Sequence, residues 1–387
     1  MKHLPRVGRE SLPPFLVMLS AMMVTPAVRP LFASIPGASE GAMHAFMSVN
    51  MLGAAIFAPI VALLADRRGA HWRFATWLAI LDAVLVAALA APLPVPALLF
   101  LRAIQGGVNV GLLSLVLAAA IRGGAVAGPG TAVMVAIAAG PPLGSLLVGF
   151  GPRVVLLAAA GIDLMVFALL AAARAETTQP AAPRKFTLFS VLRASPLLLV
   201  PSALAFAERF TVGAFVVSFA IYAHDVLGLS DRATGLRYSI FLVSFALSTY
   251  PVGKLGSRFS RPTVLASGGV LYGIAFLWLA VAPGPWVPVA LLLAGVSSAM
   301  VYAPSLCYAT TLAPAGARAT SMALFQAAGC LGMMLGPAGA GMLSAILRAR
   351  GHGPELRYPA VFAMAAVVQL GTMALLARRL RTLRATA

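Results

Sequence analysis

Ten Asp and Glu residues occur among 387 positions, and three of them, Asp82, Asp163 and Glu208, interrupt long apolar runs. Arg29, Arg102 and Arg209 do the same. A charge in such a run is costly unless it meets a partner, so these residue types point to ion pairing, proton binding or recognition of a charged solute. Arg29 and Arg102 could form a cationic wall that holds an anionic or polar group. Glu208 and Arg209 are neighbours, and adjacent positions on a helix point about 100° apart. They cannot share one direction, which predicts that at least one reaches another helix or a cavity. A proton and an arginine competing for the Glu208 carboxylate would link proton movement to solute release, whereas a static ion pair would only lock helices together. Asp82 and Asp163 are candidates of the same kind, or structural partners of Arg102 or Arg209. Asn50, Asn109, Tyr302 and Tyr308 add uncharged polar groups within apolar runs.

Bond-making chemistry has no comparable set of residues. Cys307 and Cys330 stand in apolar surroundings, and no His/Cys cluster has the spacing of metal ligands. A phosphate-binding glycine loop and a nucleophile with its base are both missing from the sequence. No catalytic residue, metal or cofactor is therefore expected, protons being the one candidate coupling ion.

The elements that must position these charges are membrane helices. The chain is 61% hydrophobic and only 10% charged, where a soluble protein devotes about a quarter of its residues to charge. A helix needs roughly 20 apolar residues to cross the hydrocarbon core, and the sequence predicts twelve: 12–33, 43–65, 74–92, 95–121, 129–150, 153–173, 199–222, 233–252, 262–282, 286–312, 319–347 and 358–377. A barrel would alternate apolar and polar residues, and these runs do not. The net charge of +18 sits mainly in the gaps between runs. It is biased toward alternate gaps, as the positive-inside rule requires when both termini are cytoplasmic, and this favours a bacterial inner membrane over nucleic acid as the partner.

The longest polar stretch between runs, AETTQPAAPRKFTLFS at 175–190, predicts a division into a six-helix bundle over 1–174, a cytoplasmic linker over 175–198, and a second bundle over 199–387 with a short basic tail. Motifs recur weakly about half a chain apart. AAGPPLG, with Gly140, Pro141 and Gly144, has a counterpart in MLGPAGAG, with Gly336 and Pro337. Proline removes a backbone donor and glycine permits close approach in lipid, so both motifs read as hinges or packing surfaces, and Pro26 and Pro30 should bend the first span.

On these residues the sequence resembles the major facilitator superfamily over nearly its whole length. The loop after the second span carries Asp66, Arg67, Gly69 and Arg73 where the family pattern is Gly-x-x-x-Asp-Arg-x-Gly-x-basic-basic, with Ala62 in place of the first Gly and His71 and Trp72 at the basic end. The fourth span carries the Arg-x-x-Gln-Gly pattern as Arg102, Gln105 and Gly106. The fifth carries the exporter-associated Gly-Pro-x-x-Gly as Gly140, Pro141 and Gly144. The resemblance implies an all-α fold of two pseudo-symmetric six-helix bundles working by alternating access as a monomer, with a small-molecule substrate and membrane lipids as partners. It also implies that Asp66 contributes to a gate, that spans one, four and ten border a central cavity, and that spans three and six are peripheral. The nearest group implied is the proton-driven, drug-efflux-like antiporters, exporting a small amphipathic or lipophilic compound. Uptake or facilitated movement of an organic anion, metabolite or lysolipid is the alternative that the arginines suggest. His71 reads as a loop residue rather than a proton carrier.

Overall fold

The computed structural model describes residues 6–35, 40–121, 127–172, 187–229, 231–282 and 284–386. Its α-helices are α1 (Arg6–Met23), α2 (Val28–Ala33), α3 (Glu40–Arg68), α4 (His71–Ala88), α5 (Val95–Ala120), α6 (Ala127–Val148), α7 (Pro152–Ala172), α8 (Leu188–Ala194), α9 (Leu199–Asp225), α10 (Asp231–Arg258), α11 (Arg261–Val281), α12 (Val287–Thr311), α13 (Arg318–Ala349) and α14 (Pro354–Thr386). Each apolar run is helical because the bilayer offers no water to its backbone, which must then bond within itself. Among the described residues, ten helices are long and apolar enough to cross a membrane. The two expected spans outside that set have identifiable causes. The first is split by a 3₁₀ turn at Thr25–Ala27, where Pro26 interrupts the backbone ladder between α1 and α2. The eighth, α10, begins Asp-Arg and includes Arg237, Lys254 and Arg258, which lower its hydropathy.

Two boundaries differ from expectation. The basic tail after residue 377 is not loose chain: α14 continues to Thr386, because ARRLRTLR holds good helix formers and neither Gly nor Pro to stop it. Within the expected linker, Thr187 and Ser190 exchange side-chain to backbone bonds in a capping box that starts the short helix α8. Residues 175–186 of that linker, including Arg184 and Lys185, lie outside the described residues.

The chain forms two compact units, residues 1–198 with 309–327, and residues 199–308 with 328–387. In the first, α3 packs on α5, α1 on α6 and α4 on α7. Phe32, Phe46, Leu89, Leu98 and Leu156 fill one of its cores. In the second, α14 packs on α11 and α9 around Phe215, whose ring meets those of Phe219, Tyr238, Phe241 and Phe276.

Glycine sets the closest approaches in each. A Cβ at Gly140 or Gly144 would run into Met22 and Met23 of α1, and one at Gly332 or Gly336 into the backbone of Phe206 and Phe210 of α9. Both Gly-Pro motifs are therefore packing surfaces inside their own unit. The tightest pairing is α3 with α5, where a Cβ on Gly106 would strike the Asn50 carbonyl oxygen. Gly106→Val should push these helices apart and cost about 1–3 kcal/mol, the usual range for overpacking. Gly161→Ala on α7, where a Cβ meets nothing within 4 Å, should cost nothing measurable. Melting of the two purified variants in detergent checks the contrast, and equal melting points would contradict it.

Candidate functional site

Polar side chains gather at three places. The first lies in the first unit and is built on that close helix pairing. Arg102 and Gln105 sit three residues apart on one face of α5, and Gly106 lets α3 come near enough for Asn50 Nδ2 to donate to Gln105 Oε1 at 3.1 Å. Arg102 Nη1 donates to the same oxygen at 2.7 Å. Gln105 Nε2 turns the other way and donates to Asp82 Oδ1 of α4 at 2.8 Å, while Asn109 Nδ2 donates to Asp82 Oδ2 at 2.7 Å. Gln105 thus bridges the arginine and the carboxylate, which do not touch directly. The Arg102 guanidinium lies 4.9 Å from the centre of the Phe46 ring, a cation–π arrangement that further supports a buried charge. Asp82, Arg102, Gln105, Asn50 and Asn109 are all buried.

The span-four pattern therefore has a physical content that its spacing alone did not reveal: Arg, Gln and Gly respectively supply the charge, the relay and the space. Asp163, on α7, is also fully buried but stands outside this chain of bonds. Its Oδ1 lies 2.6 Å from Ser20 Oγ of α1. Arg29 falls on α2, its side chain outside the described part.

The second place is the loop between α3 and α4. Gly69 has φ +62°, a left-handed conformation that glycine adopts freely, and this closes the turn directly after Asp66. The Asp66 side chain is buried and accepts from the backbone N–H of Ala319 at 3.3 Å and of Thr320 at 2.6 Å. These are first-turn amides of α13, which have no partner within their own helix. His71 opens α4 rather than standing in the loop, and its Nε2 lies 2.5 Å from Asp66 Oδ1. Arg67 is half-buried beside this arrangement and Arg73 points to the exterior.

The third place lies in the second unit, on α9, α10 and α12. Glu208 and Arg209 do meet: Arg209 Nε donates to Glu208 Oε2 at 2.9 Å. The expectation that neighbouring residues cannot share a direction fails at the tips, because both stems are long enough to curl across the angle between their Cβ bonds. Glu208 also reaches another helix, accepting from Ser298 Oγ at 2.7 Å. Arg209 lies 5.6 Å from the Tyr302 ring centre, and Tyr302 is in edge contact with Phe245. The hydroxyls of Tyr302 and Tyr308 are buried and have no hydrogen-bond partner among the described residues, and Tyr308 lies elsewhere on α12. Ser20 and Ser298, which complete these sites, carry no signal in sequence: a serine within an apolar helix usually bonds its own backbone.

No group of three or more His, Cys, Asp or Glu residues among the described residues could hold a metal ion. The arrangement is one of compensated charges and helix-end contacts, suited to binding and conformational change.

The same fold occurs in known structures. The human organic anion transporter MFSD10 (TETRAN) superposes with a TM-score of 0.75 at 18% identity, over 96% of this chain and 100% of that one. A bacterial homologue of the iron transporter ferroportin, in its outward-facing state, gives 0.72 at 16% identity over 96% and 100%. The proton:xylose symporter XylE gives 0.67 at 18% over 94% of each. In sequence, 85 residues are 33% identical to the mouse (Mus musculus) sphingosine-1-phosphate transporter SPNS2, a match that spans 22% of this chain and only 14% of that protein. The Major Facilitator Superfamily model matches residues 14–230 and 202–386, so the chain belongs to the major facilitator superfamily: it is a membrane transporter of small molecules and not an enzyme.

Proposed function

We propose that the chain moves an organic anion with an apolar body across the membrane, and that Arg209 receives the anionic group. The observation that carries this reading is the way Arg209 is held. Its Nε is tied to Glu208 and its face to Tyr302, its side chain is 23% exposed, and among the described residues its terminal nitrogens have no hydrogen-bond partner. A guanidinium fixed at one edge keeps its planar fork for a carboxylate or phosphate, which it binds with two parallel bonds. Phe206 and Phe210, in ring contact along the same helix, suit an apolar body. The names of two similar proteins support the same class, one an organic anion transporter and one a transporter of sphingosine-1-phosphate.

This reading takes precedence over proton-driven efflux, for which the Gly140-Pro141-Gly144 pattern is the main support, and both of its glycines pack against the first span. Uptake or facilitated movement of the anion is the direction we infer. A bacterial inner membrane, cytoplasmic termini, two six-helix bundles and action as a monomer complete the proposal. Flux of a radiolabelled alkyl phosphate into sealed proteoliposomes tests it, beside a quaternary ammonium of equal chain length. The phosphate should enter and the cation should not. Arg209→Gln should weaken phosphate binding about tenfold to a hundredfold, the equivalent of one charge-assisted bond. Preference for the cation, or a phosphate flux unchanged in Arg209→Gln, would overturn the reading.

A further inference from the structure

Asp163 is a buried acid that the Arg102 network does not use, and among the described residues no arginine forms an ion pair with it. Two features of its surroundings bear on where its proton is. Ser20 Oγ lies 2.6 Å from Asp163 Oδ1 and also 3.0 Å from the Val17 carbonyl oxygen. A serine hydroxyl has one hydrogen, and a carbonyl oxygen can only accept. If Ser20 donates to Val17, the short contact with Asp163 needs a hydrogen from the carboxyl. The second feature is Asp163 Oδ2, which is buried and has no hydrogen-bond partner among the described residues. An ionised carboxylate would leave that oxygen charged and unsatisfied within an apolar setting, which costs far more than leaving a neutral carbonyl oxygen bare. Asp82 shows the contrast: both of its oxygens accept from amides, and Arg102 stands one residue beyond.

We propose that Asp163 and Ser20 form a proton-binding site of the first unit, with the hydrogen on Asp163 Oδ1 donated to Ser20 Oγ, and the Ser20 hydrogen donated to Val17. Release is balanced within these groups. The proton leaves Oδ1, the Ser20 hydrogen turns from Val17 to the new carboxylate, and one negative charge remains on α7. Asp82 of α4 is the other buried acid on a helix packed against α7. The other helices packed on α7 contribute little. Among the described residues α6 has no titratable side chain, and Glu10 on α1 is ten residues, about 15 Å, from Ser20. The turn at Thr25–Ala27 holds no charge, and α2 carries Arg29, its side chain outside the described part. The site therefore stores a proton away from the residues that would hold solute, between α1 and α7.

Infrared difference spectroscopy of the reconstituted full chain tests this without any substrate. Asp163→Asn should delete a protonated-carboxyl C=O band that shifts in heavy water, and Ser20→Ala should move that band without deleting it. Because the wild-type group is already neutral, Asp163→Asn should melt with the wild type, whereas Asp82→Asn should melt lower. Loss of carboxylate bands alone in Asp163→Asn, or a band indifferent to Ser20→Ala, would overturn the proposal. If Asp163→Asn failed to fold, the Ser20→Ala band and its loss on raising the pH of the wild type would still decide. None of these readouts depends on anion transport, so failure of the alkyl phosphate flux would leave them intact.

Discussion

Asp82→Leu is expected to destabilise the protein more than any other single change in the first unit, by up to about 3–5 kcal/mol, the range for leaving a buried charge without its compensating partner. The residue has no exposed surface. It receives the Gln105 and Asn109 amides, and Gln105 in turn holds Arg102, whose Nε is buried without a partner. Taking the carboxylate away strands two amide donors and leaves a guanidinium with only Gln105 and the Phe46 face to balance it. Total stabilities of domains lie around 5–15 kcal/mol, so the loss is a large fraction of the whole. The double variant Asp82→Leu/Arg102→Met should recover a good part of it, because removing both charges together leaves no uncompensated ion. Melting curves of the wild type, both single variants and the double variant in one detergent form the complete cycle. A single Asp82→Leu variant that melts with the wild type, or a double variant that melts lowest of all, would show that the Gln105 relay does not carry the charge balance described.

What could be read from sequence divides along a physical line. Hydrocarbon-length apolar runs declare themselves one residue at a time, so the helices and the break at Pro26 were legible. The presence of charges within the helices at 82, 102, 163, 208 and 209 was legible too, because charge inside an apolar run is conspicuous. Their partners were not. Gln105 joining Arg102 to Asp82 depends on how far α4 stands from α5, and Glu208 meeting its own neighbour depends on side-chain torsions that spacing does not encode. The division of the chain into compact units gives another instance: residues 309–327 belong with the first unit although they follow 110 residues of the second. Nothing in that stretch is unusual as sequence. Its place follows from what the start of α13 needs.

The start of α13 needs an acceptor, and Asp66 supplies it from about 250 positions away in the chain. Arg318 is the first helical residue and Ala317 precedes it, so no local Ser, Thr, Asp or Asn stands where a cap would be. Asp66 accepts from Ala319 and Thr320 instead and brings a negative charge to the positive end of the helix. Asp66→Ala should therefore remove a cap and its charge at once. A lost cap costs about 0.5–2 kcal/mol and a lost charged hydrogen bond about 1.5–3 kcal/mol. Hydrogen exchange resolves where this falls: the amides of Ala319 and Thr320 should exchange more than about tenfold faster in Asp66→Ala, the rate equivalent of roughly 1.4 kcal/mol, while amides late in α14 keep their wild-type rates. Asp66→Asn should fall between, since its one carbonyl oxygen can still accept but without charge. His71→Ala should have the smallest effect, because it breaks the contact at Asp66 Oδ1 and leaves the α13 amides bonded. The order Ala above Asn above His71→Ala separates a charged helix cap from a loop that only passes close to α13. Equal exchange at residues 319 and 320 in all three variants would mean that the acid of this loop does not hold α13 at all.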